Sequence, residues 1–342
     1  MNLQKKSNEV YSKVEGTHKR LGKLALLELY CDIANKCLLV IGTSGTGKSA
    51  ILKFLEKQVG REKLLLDAIT ISGLRHIQKK LDGKNITILV DDISKGGTEY
   101  AQIATIVTLG ELSYTGHIIK ITQQYAISIR DFKGAVIING QPLIIKRILS
   151  VPEFETDIRD KVIRYYHLPR PTSPTLHPPK NDITIQYGID KIKIPQEILN
   201  SPTYIKALEN FKSEFTLSRA IQHLNDLIRA VALFEEKQEV DEKDVNVIEN
   251  LSRNFRLEHE IYNKKDLEGP RQLDVNVIPL LSIISTYKTR NIEEIENEFQ
   301  VKRARVYEIV KELEHIAQFK EKTLIPTKYA ENLLKYIGEW SE

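Results

Sequence analysis

Between Cys37 and Val59 the chain passes from a short apolar run, CLLVIG (37–42), through GTSGTGKS into the helical pattern AILKFLEKQV. That order constrains the fold more than any other feature of the sequence. Glycines at 42, 45 and 47 let a loop turn its backbone N–H groups inward around an anion without obstruction by Cβ atoms. The helix opening after Gly47 brings the positive end of its dipole to the same place. Such a loop needs a strand before it and a helix after it, which predicts a parallel α/β sheet. Other apolar runs fit that sheet: ITILV (86–90), AVIIN (135–139) and the more amphipathic KVIRYYHL (161–168), with helical patterns between them.

The rest of the chain divides at two places. Five of the twelve prolines fall in LPRPTSPTLHPP, a composition that holds neither a helix nor a central strand and predicts a linker over 171–183. Asn263–Arg271, with Gly269-Pro270, predicts a second boundary. The expected units are an N-terminal arm (1–22), a nucleotide-binding core (23–170), a helical region (184–262) and a small C-terminal unit (271–342). In the arm's continuation Leu21, Leu24, Leu27, Tyr30 and Ile33 form one apolar stripe. In the helical region Ala220, Ile221, Leu224, Leu227, Ile228, Val231 and Phe234 form another.

Composition narrows the class. With 342 residues, 41% hydrophobic and 28% charged, the chain has the balance of a globular protein and no run long enough to span a bilayer. Its start, MNLQKKSNEV, lacks an apolar leader. The two cysteines, Cys31 and Cys37, suit neither a zinc site nor a disulfide framework, so a reducing cytoplasmic compartment is expected. The net charge of +4 permits nucleic acid as a partner without demanding it.

Three strand ends carry the expected chemistry. In the loop, Gly42, Thr43, Ser44, Gly45, Thr46, Gly47, Lys48, Ser49 and Ala50 would surround the phosphates of ATP. Lys48 would reach the β- and γ-phosphates, and the Ser49 hydroxyl would ligate Mg²⁺. ITILV ends in Asp91-Asp92, where the first carboxylate would hold Mg²⁺ and the second would activate water. AVIIN ends in Asn139, between the other two, where an amide can orient that water.

Phosphate loop, paired acids, Asn-tipped strand and a later helix led by Arg219 together resemble the AAA+ family of P-loop ATPases, over roughly residues 20–256. The resemblance implies a Walker A loop at 42–49, a sensor at Asn139, and a helical lid whose Arg219, in FTLSRAIQHL, touches the γ-phosphate of its own subunit. ATP would then lie at the seam of core and lid. The family also uses an arginine finger that reaches a neighbour's nucleotide. The segment EFETDIRDKVIRYYHL matches its place, making Arg159 the candidate and Arg147 and Arg164 the alternatives. A finger in trans implies a homo-oligomer, as a hexameric ring or an open spiral. Most motor-type members end the acidic strand in Asp-Glu; the shorter Asp92 sets its carboxylate about 1.5 Å back and leans toward slow hydrolysis.

GHIIKITQQYAISIRDFKGA (116–135) alternates like a β-hairpin, and in minichromosome-maintenance-type helicases such a hairpin lines the pore. Lys120, Arg130 and Lys133 would then touch phosphates. Residues 271–342 resemble a winged helix-turn-helix. There Lys302, Arg303 and Arg305, near Tyr307, would lead the DNA-reading helix, with Lys320 and Lys322 in the wing. The unit as a whole has 11 Lys/Arg against 12 Asp/Glu, net −1, so only that leading turn is basic. The expected function is therefore an oligomeric ATPase acting on DNA, of replication-initiator, helicase or branch-migration type. Two rivals stand beside it: a regulatory nucleotide switch whose winged helix docks protein, and a packaging or transposition ATPase of a mobile element.

Overall fold

In the computed structural model, residues 3–121, 126–149, 158–168, 183–261, 274, 276–287, 290–299 and 301–340 are described. Two helices, α1 (Lys5–Thr17) and α2 (Gly22–Ile33), precede the sheet. Then β1 (Cys37–Ile41) leads through the glycine loop into α3 (Lys48–Glu56), followed by β2 (Glu62–Leu66), α4 (Ile71–Leu81) and β3 (Ile86–Val90). A 3-10 turn, Ile93–Lys95, opens the way to α5 (Glu99–Thr115) and the hairpin β4 (Ile118–Ile121) and β5 (Ala126–Ile129). The core closes with β6 (Val136–Gly140), α6 (Pro142–Leu149) and β7 (Val162–Tyr166).

The five strands form a parallel sheet in the order β2-β3-β6-β1-β7. Alternate residues feed two cores, one on each face: Leu39, Ile41, Ile88, Val90 and Ile138 on one side, Leu38, Val40, Leu89 and Ile137 on the other. Burial on both faces explains why these strands read as unbroken apolar runs. β2 is the strand the sequence pattern does not reveal. EKLLL sits at the sheet edge, only half-buried, and opens on two charged residues.

A helical region follows: α7 (Gln196–Leu199), α8 (Pro202–Lys212), α9 (Leu217–Phe234), α10 (Glu242–Ser252) and α11 (Leu257–Ile261). It packs on α2 and on β7, which is why α2 is buried on nearly all sides and not along one stripe. Both oxygens of Glu28 are sealed in that packing, without a hydrogen-bond partner among the described residues. Burial raises its pKa well above the ordinary carboxylate range. The stability lent by the protonated carboxyl is complete below the unfolded value, near 4.3, and is lost as pH rises toward the folded value. Glu28→Gln is therefore expected to gain on the wild type in melting temperature as pH is raised from 4 to 8; parallel melting curves at all pH values would refute this.

The C-terminal unit holds α12 (Val277–Tyr287), β8 (Arg290–Asn291), α13 (Ile292–Phe299), α14 (Arg303–Glu312), β9 (Ala317–Lys320), β10 (Thr323–Pro326) and α15 (Lys328–Tyr336). Its strands make a small antiparallel sheet, β8-β10-β9. Val306, Ile309, Val310, Leu324 and Leu334 join the same apolar core that covers one face of the large sheet. The turn between α1 and α2 ties the unit to the loop end of the sheet. Arg20 Nη1 donates to the Ser285 carbonyl and Nη2 to that of Glu339, both at 2.8 Å, while Lys23 Nζ donates to the carbonyls of Ile337 and Gly338. Arg20→Ala removes two charged hydrogen bonds, so docking should weaken by about 1.5–3 kcal/mol. The check is amide hydrogen exchange in α15, which should speed up; unchanged protection there would count against the tie.

The linker expected at 171–183 lies outside the described residues except for Ile183, and the boundary at 263–271 lies outside them entirely. Among the described residues, no helix is long and apolar enough to cross a membrane.

Candidate functional site

The glycine loop spans β1 and α3, and its shape follows from close contacts. A Cβ on Gly42 would lie 2.5 Å from the His167 carbonyl oxygen, so the strand ends can approach only with glycine there. Gly47 caps α3 in the left-handed region, at φ +86°, and a Cβ there would meet Leu21 at 2.6 Å. No side chain caps α3, so its first N–H groups are left to the loop. Lys48 folds back across the loop: Nζ donates to the carbonyls of Gly42 (2.7 Å) and Thr43 (2.8 Å) and to Thr46 Oγ1 (3.3 Å).

A cavity of about 510 Å³ opens above the loop. Ser44, Gly45, Thr46, Gly47, Lys48, Ser49 and Ala50 line it together with Asp91, Asp92 and Asn139. The three strand ends singled out in the sequence therefore meet around one space. Among the described residues, Asp91 Oδ1 and both polar atoms of Asn139 are buried without a partner. Buried polar groups are seldom left so unless water, an ion or a ligand completes them. Asp92 is differently placed. Its Oδ1 accepts from the Ser94 N–H (2.9 Å) and hydroxyl (2.5 Å), capping the 3-10 turn, so one carboxylate oxygen is committed locally.

The expected seam with a helical lid is not found. No residue of 183–261 lines the cavity; its outer wall is His18, from the turn between α1 and α2, with Lys53, Lys95, Gly140 and Gln141. Arg219 stands at the opposite end of the sheet, its guanidinium 4.4 Å from the centre of the Tyr114 ring and donating to Gln222 Oε1. The reason lies in how α9 is anchored. Asp160, just before β7, accepts from the Thr216 N–H and hydroxyl, the Asp160 carbonyl meets His223 Nε2, and Asp226 pairs with Lys36 just before β1. These bonds fix the start of α9 where the strands begin, whereas the loop is where they end.

The finger candidates also separate. Arg159 sits in the turn before β7, half-buried, with Nε donating to the Glu214 carbonyl at 3.3 Å. Residues 151–157 of the expected finger segment lie outside the described residues. Arg147 pairs with Glu99 at 2.5 Å and bonds Gln102, both on α5. Arg164 is excluded. It is fully buried in β7, where Glu258 holds it at Nε (2.5 Å) and Nη2 (3.0 Å), so it faces no neighbour.

The hairpin β4-β5 forms as its alternation implies, but it packs on its own chain. Lys120 Nζ donates to Thr108 Oγ1 on α5 (2.7 Å), and Ser128 and Arg130 donate their backbone N–H groups to Gln78 and Asp82. Residues 122–125 lie outside the described residues. In the C-terminal unit Lys302 stands at the N-cap position of α14, Lys320 ends β9 and Lys322 lies in the turn before β10. Arg303 pairs with Glu296 and Glu293, and Arg305 with Glu308 and Glu312. The leading turn is therefore a mixed-charge surface, not the bare basic one its sequence suggests.

His18, Lys53, Lys95 and Gln141 were not singled out from the sequence, since none belongs to a motif. The turn before α2 brings His18 to the cavity, α3 brings Lys53, and the segments after β3 and β6 bring Lys95 and Gln141. Against this geometry, no protein-family model matches the chain and no curated protein matches it.

Proposed function

We propose that the cavity above the glycine loop binds ATP with Mg²⁺ and that the chain hydrolyses it, as an ATPase resembling the AAA+ family. The observation that carries this reading is the meeting of the Lys48 amine, the buried unpartnered Asp91 oxygen and the buried unpartnered Asn139 amide around one glycine loop. Lys48 would exchange its loop carbonyls for β- and γ-phosphate oxygens. Ser49 and Asp91 are the residues suited to hold Mg²⁺; among the described residues no cluster of three or more His, Cys, Asp or Glu could hold a metal alone. Hard cations of this size take few protein ligands and share substrate phosphates. When bound, Mg²⁺ would neutralise charge developing on the phosphates. Asn139 would orient the attacking water, and Asp92, with one oxygen held by Ser94, would accept its proton at a slow rate.

In this reading the chain works as a homo-oligomer, a ring or open spiral. Arg159 would serve a neighbour's nucleotide, since it stands at the end of the sheet away from its own loop. The C-terminal unit, with its helix pair and small sheet, resembles a winged helix-turn-helix, and DNA is the partner it would fit. A second reading has its own support: Arg20 and Lys23 connect the turn beside the cavity to that unit, as a regulatory nucleotide switch requires.

Steady-state ATP hydrolysis at low salt, with no DNA, then single-stranded and duplex DNA, tests both. Stimulation by DNA supports the DNA-acting ATPase. Slow turnover indifferent to DNA supports the switch, and no ATP binding at all overturns the proposal.

A further inference from the structure

His167 directly follows β7 and lies beneath the glycine loop, fully buried. Three contacts tie it there. Its N–H donates to the Ile41 carbonyl at 2.6 Å, its carbonyl abuts Gly42, and its Nε2 lies 2.9 Å from the Thr46 carbonyl. A carbonyl only accepts, so Nε2 carries the hydrogen and Nδ1 is left as an acceptor. Nδ1 has no partner among the described residues. An apolar side chain would fill the space under the loop without leaving that atom bare, so the bond to Thr46 is what calls for an imidazole here.

That bond has a consequence for the cavity. Across a trans peptide the C=O and the next N–H point in opposite directions, and no peptide in the described chain is cis. A Thr46 carbonyl held down toward His167 turns the Gly47 N–H up toward the cavity that Gly47 lines. A donor on the carbonyl also polarises the peptide and strengthens its N–H as a donor. We propose that His167 is a positioning residue of the candidate site, presetting the Gly47 N–H as a donor to an anionic ligand, a phosphate oxygen of ATP. The inference rests on the nucleotide reading above. Burial lowers the imidazole pKa to about 3, so the side chain stays neutral and the device is unchanged across ordinary pH.

The test uses the full chain, with binding of ATP-Mg²⁺ and of inorganic pyrophosphate measured by calorimetry beside melting temperature. His167→Leu keeps the volume and removes the donor. It should weaken both ligands about tenfold in the folded protein, raise KM more than it lowers kcat, and move the amide resonance of Gly47. His167→Gln, which keeps an N–H donor, should recover part of the affinity. If His167→Leu does not fold, His167→Asn, whose amide is too short to reach Thr46, carries the same comparison. Wild-type binding with unchanged affinity and an unmoved Gly47 amide in the variants overturns the role of His167 alone. A wild type that binds neither ATP nor pyrophosphate overturns the nucleotide reading and this inference with it.

Discussion

Replacing Lys48 by alanine is expected to remove tight ATP binding and bring hydrolysis to background. The ammonium is the charge nearest the heart of the loop, bonded to the Gly42 and Thr43 carbonyls and to Thr46 Oγ1. Those acceptors are the ones a phosphate would displace, so the lysine serves the loop when empty and the ligand when filled. A charge-assisted hydrogen bond of this kind contributes about 1.5–3 kcal/mol, which is roughly 10- to 150-fold in affinity, and the loss in turnover adds to it. Because the variant also leaves loop carbonyls without their cation, melting temperature must be recorded beside activity. A folded Lys48→Ala protein that hydrolyses ATP at the wild-type rate would remove the basis for the nucleotide reading.

Much of that site was legible because its residues are consecutive in the chain. Gly42 to Ser49, Asp91-Asp92 and Asn139 each close an apolar strand, and a parallel sheet brings strand ends to one edge whatever else the chain does. Arg219 stands away from the loop for the complementary reason. Its helix begins as the resemblance suggests, yet which end of the sheet it reaches is set by Asp160, Asp226 and Lys36, three residues no motif marks. The hairpin shows the same division: IIKIT and YAISI fix two strands, but Thr108, Gln78 and Asp82 decide where the pair lies. β2 stayed hidden because an edge strand needs neither apolar continuity nor alternation. For Arg303 and Arg305, the acidic residues of α13 and α14 lie three to ten positions away along the chain, and only folding brings them to the guanidinium groups.

Arg164 shows how far environment can overturn a reading made from residue type, and it carries the largest stability effect expected here. In KVIRYYHL an arginine suggests an exposed face, but β7 is covered on both sides. Arg164 pairs in register with Leu39 of β1, and its guanidinium donates to the Glu258 carboxylate and to the backbone carbonyls of Arg159, Val162 and Glu214, with none of it exposed. Burial alone would lower its pKa; the carboxylates of Glu258 and Glu214 more than reverse that, so it stays charged. Tyr166 donates its hydroxyl to Glu258 at 2.7 Å, joining two residues of β7 to α11. Arg164→Met keeps much of the volume but strands Glu258 among apolar groups. Removing one partner of a buried pair typically costs about 3–5 kcal/mol, a large share of the stability of any domain. Chemical denaturation should show that loss at pH 7. The double variant Arg164→Met with Glu258→Leu should recover most of it, because replacing both members of a buried pair by apolar residues is often neutral. A single variant as stable as the wild type would mean that β7 and α11 are joined by packing alone.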